Sequence, residues 1–358
     1  MKISQLMLSK GFGGGERYFV DLCVELAELG HQVQAICHRQ FEKLDLLTGH
    51  DGLSVVPLPV WGVWVPFAAR RMEREIARFQ PQVMHAHMSR GTSFGGRIRA
   101  RLGIPLTSTL HNYVKLKYYV NVDRYIATTE DLRQHLVKHG VSPDRIELLG
   151  YFTHLKAVES VARESFADPV FVAYGRMVEK KGFDVLLRAF ARLRENGVVA
   201  RLIIGGDGEE RDSLHALTRE LGLSSDVEFA GWINDVSAFL DRGSIFVLPS
   251  LDEPFGIVVI EAMARGKPIV STRTQGPREV LNDDIAYLAE VGDAESLAVA
   301  MQRATEDERD RLEKAKAALS RFKTQYAKEV VMPKQIQIYE SLADSAAGPS
   351  GQDRAGAP

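Results

Sequence analysis

The chain has 358 residues, 45% of them apolar and 26% charged, which is the balance of a folded globular protein long enough for two domains of ordinary size. The net charge of −2 and the lack of a nucleic-acid-binding module argue against nucleic acid as a partner. No segment approaches the roughly 18 uninterrupted apolar residues that span a bilayer, and Cys23 and Cys37 sit in apolar-periodic stretches that suit buried, reduced thiols rather than a disulfide framework or a zinc site.

The start, MKISQLMLSKGFGGG, has too short an apolar run for a secretory leader, so the cytoplasm is the expected address. Apolar runs bounded by turn residues predict strands at KISQLMLS, QVQAICH, LSVVPLP, QVMHAH, PLTSTL and RYIATT. Amphipathic stretches such as ERYFVDLCVELAELG lie between them. After residues SPDRIELLGYFTHLKAVESVARESFADP the alternation restarts with VFVAYG, the helix FDVLLRAFARLREN, ARLIIGG, the helix EERDSLHALTRELG, VEFAG, IFVLPS, a further helix and KPIVST. This rhythm predicts an α/β protein with a mainly parallel, doubly wound sheet in each half. The expected domains are 1–160 and 161–330, joined near 156–168, with a helix over 331–343 packing back on the N-terminal domain. Residues 344–358 are small and polar and are expected to be disordered.

The charge is uneven. Residues 1–150 hold 19 Lys+Arg against 14 Asp+Glu, a net +5, so the remainder carries −7. Between Val60 and Val122 the basic residues Arg70, Arg71, Arg74, Arg78, Arg90, Arg97, Arg99, Arg101, Lys115 and Lys117 stand against Glu73 and Glu75 alone. They are interleaved with Trp61, Trp64, Phe67, Tyr113, Tyr118 and Tyr119. Such a mixture suits an anionic membrane surface, while a solvated face over core aromatics is the plainer alternative.

In open α/β sheets, ligands bind beyond the carboxyl ends of the strands. Four such positions stand out. KGFGGGERY opens a helix with a glycine loop that can approach a phosphate, although it fits neither the nicotinamide fingerprint nor the P-loop. Arg176 and Lys181 lie on the turn of VAYGRMVEKKGFDVLLRAF, where two cations can neutralise a diphosphate. In LPSLDEPFGIVVIEAMARGKPIV, Asp252 or Glu253 is expected to cap a helix begun by Pro254, leaving the N–H groups of Gly256 and Ile257 free. On a helix, Glu253 and Glu261 would be separated by about 12 Å of rise and a net turn of about 80°. The fourth position is TQGPREVL, a glycine turn with Glu279 behind it. His85 and His87, at i and i+2 on a strand, have no evident third ligand for a metal.

Taken together, GGGER, GRMVEKKGFDVLLRAF, IIGGDGEER, VEFAGWI and PSLDEPFGIVVIEAMARGKPIVST resemble the retaining glycosyltransferases of family four. The likeness covers nearly the whole chain and is strongest from Val170 to Glu279. It implies the GT-B fold, two Rossmann-like domains facing each other across a cleft. It implies that Glu253 holds hydroxyls of the donor sugar, that Glu261 binds the nucleotide ribose, and that the amides of Phe255, Gly256, Ile257 and Val258 contact sugar and diphosphate. Arg176 and Lys181 match the pair that stabilises the leaving diphosphate. Gly14 and Gly15 match the loop that closes on the phosphates, and His111, in STLHNY, matches the histidine beside the donor sugar. Gly206 falls with the donor-binding residues, and the base is placed near Gly231 and Trp232.

The activity so implied is retaining, metal-independent transfer of a sugar, a UDP-hexose being the expected donor, to a glycan or lipid-linked acceptor in lipopolysaccharide or other cell-surface polysaccharide biosynthesis. No cofactor beyond the nucleotide sugar is implied, and no Asp-x-Asp occurs in the chain. The resemblance puts HAH at the cleft, with His87 towards the acceptor. Arg70, Arg71 and Arg74 then belong to the acceptor or membrane side, which suggests a cytoplasmic protein resting on the inner face of the cytoplasmic membrane. The chain departs from the family pattern at LLGYFTHL, at QGPRE and at the short loop LNDDIAYL. The alternatives are a nucleotide-sugar epimerase on the same fold and a non-catalytic scaffold that binds nucleotide sugar or membrane.

Overall fold

The computed structural model describes residues 1–60, 66–162 and 169–347. Trp61 and Trp64, part of the expected linker and residues 348–358 of the expected tail lie outside the described residues. The chain forms two compact units, one from Met1–Tyr151 with the residues from Val331 on, the other from Phe152–Val330. The division follows Tyr151, earlier than the boundary expected at 160.

Unit 1 contains β1 (Lys2–Met7), β2 (Gln32–His38), β3 (Leu53–Leu58), β4 (Val83–His87), β5 (Leu106–Leu110), β6 (Arg124–Ala127) and β7 (Ile146–Leu148). They form one parallel sheet in the order β3-β2-β1-β4-β5-β6-β7. The strands read as near-continuous apolar runs because helices cover both faces. The helix Gly14–Glu28 turns Tyr18, Phe19, Leu22, Cys23 and Leu26 inward at helical spacing. Cys23 and Cys37 are free and buried. Burial raises the Cys23 thiol well above its ordinary range and pushes Cys37 up to about 12, so both act as small core hydrophobes.

One face of this sheet carries a buried polar patch. Gln5 on β1, His85 and His87 on β4, and Thr107 and Thr109 on β5 are all buried. The parallel register sets Gln5 beside His85, His85 beside Thr107 and His87 beside Thr109. The two-residue period of a strand then turns all five side chains to the same side.

Unit 2 contains β8 (Val170–Tyr174), β9 (Arg201–Gly205), β10 (Val227–Gly231), β11 (Ile245–Leu248), β12 (Ile269–Thr272) and β13 (Tyr287–Ala289), parallel and ordered β10-β9-β8-β11-β12-β13. β13 lies in LNDDIAYLAE, where a loop was expected; it is an edge strand of three residues on β12, too short for its periodicity to show. β7 escaped prediction for the same reason. The helix Phe183–Glu195 buries Phe183, Leu186, Leu187, Phe190 and Leu193 against this sheet.

The last helix runs over Lys328–Ala347. It begins before 331 and continues past 343, so Asp344 to Ala347 are helical where disorder was expected.

In each sheet the strand order reverses beside the unit's first strand, between β1 and β4 and between β8 and β11. Loops leaving the carboxyl ends of such a strand pair diverge to opposite sides and leave a crevice, the usual ligand position in open α/β sheets.

Candidate functional site

At the switch point of unit 2 the chain leaves β8 through Gly175 and Arg176, makes a turn at Glu179–Lys181 and passes Gly182 at φ 64°. This turn is stitched to the loop after β11. The Leu251 N–H donates to the Lys180 carbonyl at 2.8 Å, and a Cβ at residue 182 would lie 2.2 Å from the Pro249 carbonyl oxygen, an approach only glycine permits. The loop after β9 joins them, since the Met177 N–H donates to the Asp207 carbonyl at 2.8 Å and the Glu210 N–H to the Met177 carbonyl at 3.0 Å. A Cβ at Gly206 would lie 1.9 Å from the Gly175 carbonyl oxygen.

These backbone ties bring Lys181 and Glu253 together. Lys181 Nζ donates to the Glu253 carboxylate, and both side chains are largely shielded from water. Arg176 is exposed nearby in sequence, and no carboxylate pairs with it among the described residues. The turn TQG completes the rim: the Gly276 N–H donates to the Glu253 carbonyl at 2.9 Å, and a Cβ at 276 would lie 2.3 Å from Phe255 Cα. Trp232, directly after β10, is 45% exposed.

The helix after β11 starts later than expected. It spans Ile257–Ala264, with Gly256 at φ 90° as its N-cap and no side-chain cap. Glu253 and Pro254 therefore belong to the preceding loop, because the left-handed turn at Gly256 stops the helix from extending back to Pro254. The helical estimate of the Glu253–Glu261 relation does not apply. The first amides of this helix, at Ile257 and Val258, have no partner within it and carry the positive end of its dipole. Glu261 is fully buried. Its carboxylate accepts from the Tyr174 hydroxyl and, at 3.5 Å, from Thr153 Oγ1.

In unit 1 the glycine loop ends on the helix Gly14–Glu28. Glu16 anchors it by accepting from the Gly13 N–H at 3.1 Å and from Ser9 Oγ at 2.6 Å. A Cβ at Gly15 would lie 2.6 Å from Met88 Cε and 3.0 Å from the His111 ring, so the helix start sits directly on His111, which follows β5.

His111 stands at the end of a buried chain. Its Nδ1 meets the Tyr151 hydroxyl at 2.5 Å and its Nε2 meets His87 Nδ1 at 3.1 Å. His87 Nε2 meets Gln5 Oε1 at 2.9 Å. Gln5 Nε2 donates to the Tyr339 hydroxyl at 3.0 Å. That hydroxyl meets His85 Nδ1 at 2.7 Å, and His85 Nε2 meets Thr109 Oγ1 at 2.8 Å. Burial drives the three imidazoles towards the neutral form, holding His85 and His111 down at about 3 and His87 well below its ordinary value; neighbouring imidazoles add to the effect at His85 and His87. His87, expected to point towards an acceptor, is instead fully buried beneath His111 with both ring nitrogens engaged. Among the described residues no three His, Cys, Asp or Glu side chains converge on a metal position.

The helix Pro66–Phe79 carries the expected basic residues. Arg70, Arg71, Arg74 and Arg78 are exposed with Phe67, which is 78% exposed, while Met72 and Ile76 turn into the core. Arg101 pairs with Glu73 at 2.9 Å and borders the same groove as Phe67, Arg70 and Arg74. Tyr119 belongs to the core rather than to this surface.

Sequence reasoning missed Gln5, Tyr151, Thr153, Tyr174 and Tyr339. One of them left a signal: Gln5 interrupts the apolar run of a central parallel strand, and a polar residue there must find a buried partner.

Residues 12–150 match the family Glycosyltransferase Family 4, and residues 160–321 match Glycosyl transferases group 1. The chain is 32% identical to the lipopolysaccharide core biosynthesis glycosyltransferase LpsE of Rhizobium meliloti (strain 1021) over 353 residues, 95% of this chain and 99% of that protein. It is 30% identical to LpsD of the same organism over 342 residues, 92% of this chain and 95% of that protein. Among solved structures, Anabaena HepE in complex with UDP is similar at a TM-score of 0.83, 19% identity and coverage of 96% of this chain and 100% of that one, a likeness of fold.

Proposed function

Because the chain belongs to glycosyltransferase family four and has its GT-B architecture of two Rossmann-like units, we propose that it transfers a hexose from a UDP-hexose to the core of a lipopolysaccharide, with retention of anomeric configuration. The observation that carries this reading is the Lys181–Glu253 pair at the β8–β11 switch point, on the loop that leads into the helix starting at Ile257. LpsE and LpsD, named for lipopolysaccharide core biosynthesis, support the acceptor. The complexes of HepE with UDP and with UDP-glucose support the donor.

In this reaction the bond between the anomeric carbon and the diphosphate oxygen breaks while an acceptor hydroxyl bonds to that carbon from the same face. The acceptor proton passes to the departing phosphate oxygen, so no protein nucleophile takes part. The demand on the protein is to disperse negative charge on the diphosphate as the sugar becomes cationic, which is done by fixed cations and helix amides rather than mobile water. Arg176, Lys181 and the amides of Ile257 and Val258 supply that charge, and with them the reading requires no metal. Glu253 releases part of its hold on Lys181 to grip sugar hydroxyls. Glu261 exchanges the Tyr174 hydroxyl for those of the ribose. Gly206, Trp232, Phe255 and Gly256 border the donor, Gly14 and Gly15 let the chain approach its phosphates, and His111 is assigned to the reacting sugar.

The same reading puts the protein on the cytoplasmic side of a membrane. Among the described residues no helix is long and apolar enough to cross one. The exposed Phe67, Arg70, Arg71 and Arg74 stripe supports surface attachment to anionic lipid.

Calorimetric titration with UDP-, GDP- and ADP-sugars tests the donor. UDP-hexose is expected to bind at least tenfold more tightly than the others, and to lose that binding in Glu253→Gln. Preference for another nucleotide would refute the donor assignment.

A further inference from the structure

The chain from Tyr151 to Thr109 engages all six ring nitrogens of His85, His87 and His111. A neutral imidazole has one N–H donor and one bare acceptor nitrogen, so fixing either end of such a chain fixes every tautomer along it. Gln5 provides the fixed point. Its Nε2 donates to the Tyr339 hydroxyl, which leaves Oε1 to accept from His87 Nε2–H. His87 Nδ1 is then bare and accepts from His111 Nε2–H, and His111 Nδ1, bare in turn, accepts from the Tyr151 hydroxyl. Turning the Gln5 amide over would reverse every one of these bonds.

We propose that Gln5, His87 and Tyr339 are positioning residues that hold the His111 ring as its Nε2–H tautomer, with Nδ1 occupied by Tyr151, so that the C-terminal helix supports the candidate site of unit 1 through Tyr339. The proposal rests on the assignment of His111 to the reacting sugar. Both His111 nitrogens are consumed inside the protein, so the ring is a fixed neutral surface and takes no proton from the acceptor. That agrees with a reaction in which the departing phosphate accepts the proton. Tyr18 closes the assembly from above: its ring lies 6.1 Å from His111, 6.2 Å from His87 and 4.5 Å from Tyr151. The ring of His111 is thus held by hydrogen bonds in its own plane and by an aromatic contact from the helix that begins at Gly14.

The direct test is the nitrogen spectrum of full-length protein labelled with 15N-histidine, with His111 and His87 signals assigned from His111→Ala and His87→Asn. The expected result is a protonated Nε2 and a bare Nδ1 on His111. A protonated Nδ1, or two averaged nitrogens, on His111 overturns the proposal.

Kinetics provide the second arm. Tyr339→Phe keeps the ring and removes only the hydroxyl. It should lower kcat about 10- to 100-fold, the range expected when a reacting group is misplaced, with the donor KM within about twofold and mixed His111 tautomers in the spectrum. Gln5→Leu should do the same. Gln5→Glu, held neutral by its dry surroundings, retains one donor and one acceptor and should restore both the tautomer and most of kcat. Wild-type kcat in Tyr339→Phe and Gln5→Leu, or a loss of kcat with the tautomer unchanged, refutes the positioning role. Full transfer by His111→Ala would instead remove the assignment of His111 to the sugar, while the spectrum still reported the tautomer.

Discussion

Lys181 and Glu253 stand 72 positions apart in sequence and form an ion pair at the point where the strand order of unit 2 reverses. Neither side chain is placed by its own element alone. Lys181 is held by a turn that only glycine at 182 allows against the Pro249 carbonyl, and Glu253 by a carbonyl that receives the Gly276 N–H. On the proposed function, the pair is a cation held ready for a diphosphate by a carboxylate that sugar hydroxyls replace.

Removing either partner should therefore affect catalysis more than folding. Lys181→Ala should lower kcat at least about 100-fold, as loss of one charge-stabilising group does, with an unfolding cost of at most a few kcal/mol, because the largely shielded Glu253 carboxylate left behind keeps some contact with water. Glu253→Gln should fall by a similar factor, and the double variant by less than the product of the two, since they act on one ligand. Steady-state kinetics beside urea unfolding measure this. A Lys181→Ala enzyme with full kcat contradicts the leaving-group role.

Gly15→Ala should perturb unit 1. The residue is already helical, so backbone conformation is not the obstacle; the added Cβ meets the His111 ring and Met88. Overpacking of this kind costs about 1–3 kcal/mol, and the displaced ring should also lower kcat. Unfolding and kinetics that both match wild type would show that Met88 and His111 yield freely and that this contact positions nothing.

Tyr174→Phe should leave the buried Glu261 carboxylate without its closest donor. A buried acceptor deprived of a partner costs about 1–3 kcal/mol. If ribose hydroxyls take the place of the Tyr174 hydroxyl, UDP should recover part of that stability, read as a larger thermal shift on UDP addition than in wild type. An equal shift would argue against Glu261 at the ribose.

Much of this was legible in the sequence and some was not. The alternation of apolar strands and amphipathic helices, the spacing of Glu253 and Glu261, and the Arg176–Lys181 turn are local patterns. The start of the helix at Ile257 was not readable, because Pro254 signals a helix start and the left-handed conformation of Gly256 overrides it. Tyr339 was invisible for another reason. It meets His85 across 254 positions, and no spacing rule spans such a distance. His87, expected towards the acceptor, is buried instead, with its ring nitrogens taken up by Gln5 and His111 from neighbouring elements.

The buried histidines give stability a pH dependence. Their ordinary pKa is 6.5, and burial holds His85 and His111 at about 3. Between these values the unfolded chain binds protons that the folded chain refuses, so stability is full above about pH 6.5 and is lost as pH falls towards 3. The slope approaches about 1.4 kcal/mol per pH unit for each histidine. Urea midpoints for unit 1 should be flat from pH 8 to 7 and decline below 6.5. A midpoint unchanged between pH 7 and 5 would mean that these rings protonate in place.

Attachment to anionic lipid should depend on the exposed stripe of the helix Pro66–Phe79. Each arginine near such a surface contributes about 1 kcal/mol, so Arg70, Arg71 and Arg74 replaced together by Gln should weaken sedimentation with phosphatidylglycerol-rich vesicles about 100-fold at low salt. Raised salt should weaken the wild type in the same direction. Binding unchanged by the triple replacement contradicts the assignment.

The central claim, retaining transfer from UDP-hexose, is tested most directly by proton NMR of the purified protein incubated with UDP-hexose and a deacylated lipopolysaccharide core, in EDTA. UDP should be released only when the acceptor is present, together with a new glycosidic linkage that keeps the anomeric configuration of the donor. Inversion at the anomeric carbon, epimerised donor without acceptor, or binding with no turnover would contradict it.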